Sequence, residues 1–183
     1  MSEAFDWKRA RAQWRWRGHD RPTFAIQPKP GQESVWDYPR PPRLERDQRE
    51  VVVKWGPLEV ARTTGAIRVL ETSHAPSFYI PWRDVARDFF REAQGSSFCE
   101  WKGPARYWSL SDGVRFLRNV AWSYPEPLPF AEQLADFVSF YASMLECRVD
   151  GALASAQPGG FYGGWVTPEL VGPFKGEPGS REW

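Results

Sequence analysis

The sequence predicts a mainly β or α+β fold, a single small domain of antiparallel strands with two helices. Three observations support it. Short runs of alternating or continuous apolar residues recur between Val51 and Tyr124, with the length and spacing of strands. Gly56-Pro57, Thr63-Thr64-Gly65 and Asp112-Gly113 interrupt them where hairpins need turns. Only two stretches carry an apolar stripe of helical period.

Residues 1–48 come first and read as an extension of the domain. Lys8, Arg9, Arg11, Arg15, Arg17 and Arg21 alternate there with Trp7, Trp14 and Trp16. The run Val35-Trp36-Asp37-Tyr38-Pro39-Arg40-Pro41-Pro42 is extended rather than helical, because proline fixes φ and has no N–H. It is expected to wrap the body as an arm, with Trp36 and Tyr38 seated in surface grooves. A basic-aromatic patch for nucleic acid or membrane is the alternative, but Glu3, Asp6 and Asp20 dilute its charge.

The body spans residues 49–150. Strands are predicted over 51–55, 58–62, 66–71 and 77–80. Pro81 suits the first turn of a helix, and Trp82, Val85, Ala86 and Phe89 would form its buried face, with Gly95 ending it. Strands follow at 106–110 and 114–117, joined by Asp112-Gly113, and again at 121–124 before a proline-rich break. Phe130, Leu134, Phe137, Val138 and Tyr141 predict a second helix, and residues 147–150 a last strand. Residues 151–183 are rich in Gly and Pro and read as a partly ordered tail.

Composition narrows the function. A net charge of +1 supplies no global field to attract nucleic acid. No apolar run is long enough for a membrane helix, and the charged first residues do not resemble a signal peptide. Two cysteines are too few for a disulfide scaffold, so a reducing, cytoplasmic location is expected. Eleven tryptophans exceed the needs of a core this size, which suggests a pocket or docking surface for a small-molecule ligand or a protein partner.

The segment richest in chemistry surrounds Cys99 and Lys102. An ammonium three residues from a thiol can stabilise a thiolate, and Gly103 permits close backbone approach. Lys102, Gly103, Tyr107, Trp108 and Trp122 are the candidate ligand-binding residues, one charge among aromatic walls. His74 and Glu71 follow a predicted strand and, with Cys99, would supply base, orienting acid and nucleophile if the chain is an enzyme. The plainer alternatives are a buried cysteine and a capped turn bearing a surface histidine. Paired Cys or His ligands are missing, so no metal and no cofactor is expected.

Several of these pieces together resemble the bacterial family of domain of unknown function 427, also labelled nucleotidyltransferase-like in some catalogues. They are Val69-Leu70-Glu71, Pro76-x-x-Tyr79-Ile80-Pro81, Cys99-Glu100-Trp101-Lys102-Gly103-x-Ala105-x-Tyr107-Trp108 and Ala121-Trp122-x-Tyr124-Pro125-x-Pro127. The resemblance implies a small β-tent-like domain, similar in topology to zinc-bearing relatives whose two Cys pairs this chain lacks. It carries over no catalytic residue. Nucleotidyl transfer on two metals needs clustered acids, and no Asp-x-Asp follows Gly95-Ser96.

Overall fold

The computed structural model describes residues 7–12 and 14–183, apart from the side chains of Trp7, Lys8 and Ala10. The parts expected of Glu3, Asp6, Trp7 and Lys8 in the arm fall outside these described side chains. A short helix α1 (Trp7–Ala12) leads into β1 (Glu33–Ser34), β2 (Arg43–Asp47), β3 (Val51–Trp55), β4 (Leu58–Thr63), β5 (Ala66–Leu70) and β6 (Ser77–Pro81). Then come β7 (Phe90–Cys99), β8 (Gly103–Ser111), β9 (Phe116–Ser123), β10 (Phe137–Phe140) and β11 (Glu146–Val149). Four short strands end the chain: β12 (Ala152–Leu153), β13 (Ser155–Ala156), β14 (Trp165–Val166) and β15 (Leu170–Val171). Among the described residues no helix is long and apolar enough to cross a membrane.

The fold is mainly β. Seven strands make one sheet in the order β2-β5-β6-β10-β9-β8-β7, and four make a second, β12-β11-β3-β4. Every pairing in both sheets is antiparallel. The main core lies between them. Val51, Val53 and Val60 from the smaller sheet meet Phe78, Ile80, Leu110 and Phe140 from the larger. Because side chains alternate along a strand, Tyr79 and Trp122 emerge on the opposite face of the larger sheet, in a second cluster with Ile67 and Val69.

Neither expected helix of the body forms. Trp82–Asp84 and Arg87–Phe89 are single 3₁₀ turns, parted by Val85 in extended conformation (φ −116°, ψ 137°) and bridged to Ala61. Phe90 then opens β7, which runs through the expected helix end and pairs with β8. Gly95 (φ +96°) sits where the register slips between Glu92 and Ser96. The helical stripe was a weak local signal. Pairing with β8 satisfies the backbone of the whole segment, a gain that local sequence does not display.

The second expected helix resolves into a 3₁₀ stretch, Pro129–Leu134, followed by β10 at the centre of the larger sheet. Val138, Ser139 and Phe140 are all fully buried. A strand covered on both faces loses its alternation, so its apolar run reads equally well as helix.

Both ends of the chain pack onto the body. Trp36 is fully buried, donates from Nε1 to the Pro173 carbonyl at 3.0 Å and meets Trp183 edge-on at 5.3 Å. β1 and β15 pair in parallel, joining the N-terminal arm to the C-terminal segment. Trp165 enters the main core, stacks on Phe78 at 5.0 Å and donates to the Phe140 carbonyl at 2.7 Å.

Candidate functional site

A cavity of about 530 Å³ opens on the face of the larger sheet turned away from the smaller one. A cross-strand row runs beneath it, and Tyr79, Trp122 and Tyr107 of that row line the cavity. Ile67 pairs with Tyr79, Tyr79 with Ser139, Ser139 with Trp122 and Trp122 with Tyr107. Val69 of β5 and Cys99 of β7 line the same cavity although five strand steps separate them. At ~4.8 Å per step a flat sheet would hold them some 24 Å apart, so the sheet curls around the site.

The two chain ends complete the wall. Trp14 comes from the arm, and Gly160 to Gly164 from the C-terminal segment. Gly163 lies against the floor: a Cβ there would sit 1.9 Å from the Trp122 ring. That contact demands glycine, and it presents Phe161 and Tyr162 to the cavity. Tyr162 meets the His74 ring edge-on at 4.9 Å, while Phe161 is 80% exposed at the mouth.

Of the residues singled out in the sequence, Glu71, His74, Cys99, Lys102, Tyr107 and Trp122 all line this cavity. Gly103 and Trp108 do not. Trp108 follows Tyr107 on one strand and must face the other side, where it packs on Trp82 at 4.9 Å and donates to Ser123 Oγ at 2.9 Å. Gly103 (φ +97°) allows the β7–β8 turn to pass close beneath Leu128. Sequence reasoning missed Tyr79, Tyr124, Tyr141 and Gln157. Tyr79 was detectable, since it shares the strand face of Ser77; the others reach the cavity through contacts that no local pattern encodes.

The charges are placed unequally. Glu71 Oε1 accepts from Arg40 Nε at 3.0 Å, and the same guanidinium donates to the Trp16 and Thr72 carbonyls. Burial pushes the Glu71 carboxyl up, but attraction from His74, Arg40 and Lys102 prevails and holds it below the usual range. Burial dominates at His74 and lowers its pKa, so the ring is neutral at neutral pH. His74 Nδ1 lies 2.9 Å from the Thr72 carbonyl, which can only accept; the proton is therefore on Nδ1 and Nε2 carries a lone pair.

Lys102 differs. Burial works against its charge, yet the surrounding Cys99, Tyr124, Tyr79 and Glu71 hold its pKa well above the ordinary lysine value. Its ammonium lies 5.6 Å from the centre of the Tyr124 ring. Among the described residues it makes no hydrogen bond and no ion pair. Tyr79 Oη accepts from Trp122 Nε1 at 3.0 Å, and burial raises the Tyr79 pKa to about 12. Cys99 Sγ lies 3.9 Å from Glu100 Oε2, while Glu100 Oε1 accepts from Trp14 Nε1 at 3.0 Å.

A pH prediction follows from two of these groups. Both Glu71 and His74 have folded-state pKa values below their unfolded ones, so the unfolded chain binds more protons and stability rises with pH. The His74 contribution is present above ~6.5 and is lost as pH falls below it. The Glu71 contribution is lost in a second phase beginning near the ordinary carboxylate range, ~4.3. Denaturant unfolding of His74→Gln across pH is expected to lack the upper phase and to keep the lower in weakened form, since Arg40 and Lys102 still attract the Glu71 carboxylate. An unchanged profile would show that His74 does not titrate on unfolding.

Among the described residues no group of three His, Cys, Asp or Glu side chains is placed to hold a metal ion. No curated protein matches the chain. A family model does match it over residues 43–154, more than half its length, which takes in β2 to β12 and the sheet face that floors the cavity. The chain belongs to that family, described as a domain of unknown function (DUF427).

Proposed function

We propose that the protein binds a small planar anion in the cavity described above. The observation that carries this reading is the unpartnered Lys102 ammonium on an aromatic-walled cavity. The Glu71 carboxylate attracts this charge but is bonded to Arg40 instead, so among the described residues the ammonium has no hydrogen-bonded partner to offset its burial. A bound anion would supply that partner. The walls suit a flat molecule. Trp122 and Tyr141 lie 4.5 Å apart at 43°, with Tyr79 edge-on to Trp122 at 6.2 Å. The volume falls within the usual range of small-molecule sites, roughly 300–1,000 Å³.

Less supports Cys99 as a nucleophile. Its sulfur faces Glu100, and among the described residues no hydrogen bond joins the thiol to the His74 ring. Thiol labelling at neutral pH is expected to proceed at the rate of an ordinary free cysteine. A rate more than about tenfold faster would favour the enzyme instead.

The binding reading is tested by ligand-observed NMR with a library of flat organic acids, on the native protein and on Ser77→Trp, which fills the cavity from β6. Hits are expected on the native chain and lost on the variant. Hits that persist unchanged would place binding elsewhere and end this proposal.

A further inference from the structure

We infer, building on the ligand reading above, that the ligand carries one delocalised negative charge at Lys102 and a hydrogen-bond donor toward Glu71 and His74. The class is that of hydroxylated or N–H-bearing aromatic monoanions, not phosphate monoesters. Three features of the cavity lead there.

The first is the balance of charge. Among the described residues Lys102 is the one cation in the lining, since His74 is neutral. Glu71 and Glu100 also line the cavity. A single negative charge fits beside Lys102. A second, as on a phosphate monoester near neutral pH, would find its nearest further cation, Arg40, already bonded to Glu71, and would face two carboxylates.

The second is the donor set around the anion. Tyr79 Oη accepts the Trp122 N–H and is hydrogen-bonded to the Tyr124 side chain as well, so the linked Tyr79–Tyr124 pair brings a phenol hydroxyl to the cavity beside Lys102. With Lys102 this gives the flat oxygen pair of a carboxylate, or the edge of a ring anion, one cation and one hydroxyl.

The third is the rim on the β5 side. His74 Nε2 carries a lone pair because Nδ1 bears the proton, as shown above. Arg40 bonds Glu71 Oε1, and Oε2 accepts no hydrogen bond from a described residue. Two acceptors therefore face a ligand that must bring a donor, because a buried acceptor left unmatched opposes binding.

The test titrates the full chain with four probes while the Trp122 indole N–H resonance is followed. They are a hydroxynaphthoate with its hydroxyl opposite the carboxylate, its neutral amide, its methyl ether, and adenosine monophosphate. The hydroxynaphthoate is expected to bind most tightly. The amide and the methyl ether should each be weaker by about tenfold, the ratio that ~1.4 kcal/mol of lost interaction produces. On Lys102→Met the preference for acid over amide should collapse toward unity. If the amide or the nucleotide binds as well as the acid, the monoanion assignment is overturned while the cavity remains a ligand site. If the methyl ether binds as well, the donor requirement is overturned. If none of the four moves the Trp122 resonance, this inference and the ligand reading beneath it both fall.

Discussion

Lys102→Met is expected to lose binding while leaving the fold intact. Methionine keeps an unbranched stem and removes the charge. For a buried charge in contact with a ligand, truncation costs ~2–5 kcal/mol of binding, so affinity should fall at least about thirtyfold. Stability should change little. The ammonium has no hydrogen bond or ion pair among the described residues, so its removal strands no bonded group, although Glu71 loses part of the attraction that holds its carboxyl down. Relief of desolvation is offset by the lost attraction to Glu71, so the ligand-free variant should stay within ~1 kcal/mol of the native chain. Calorimetric unfolding without ligand and titration with a flat organic acid read the two effects separately. A variant that unfolds earlier and binds as before would make Lys102 a structural residue, and the site would lose its anchor.

Trp165→Ala is expected to cost ~3–5 kcal/mol, the range for truncating a fully buried aromatic ring. The indole fills the main core between Phe78 and the smaller sheet, and its N–H satisfies the Phe140 carbonyl at the centre of the larger sheet. Removal opens a cavity and leaves a buried acceptor unmatched. Trp165→Phe should recover the packing but not the hydrogen bond, and fall between the two. This tests whether residues beyond 154, where the family match ends, belong to the folding unit. Denaturant unfolding decides it: a loss below ~1 kcal/mol would make the C-terminal segment an accessory. Because Gly163 and Tyr162 continue from that segment into the cavity wall, the alanine variant should also loosen the site.

Read for local pattern, the strands of the body were legible. Residues 51–55 and 58–63 show their strands openly, and Asp112-Gly113 marks the hairpin between β8 and β9. The two helices were not, and for different reasons. β7 is an edge strand stabilised by one partner, and its first residues continue a short helical stripe. β10 is buried on both faces, so period two vanishes from Phe137 to Phe140. The C-terminal glycines read as flexibility, whereas Gly163 and Gly164 are small because Trp122 and Gln157 stand against them.

By itself the sequence determined the strand-forming segments, the family motif and the chemistry present: one lysine near a thiol, a histidine beside a glutamate, and many aromatic rings. Tertiary structure alone decided which of these face one another. A curled sheet carries the β5 turn and the β7–β8 turn to one cavity, while strict alternation sends Tyr107 into it and Trp108 away. The physical reason is that periodicity encodes the side a residue takes on its own strand. Which strands become neighbours depends on backbone pairing and burial between segments far apart in the chain, and no local window contains both partners.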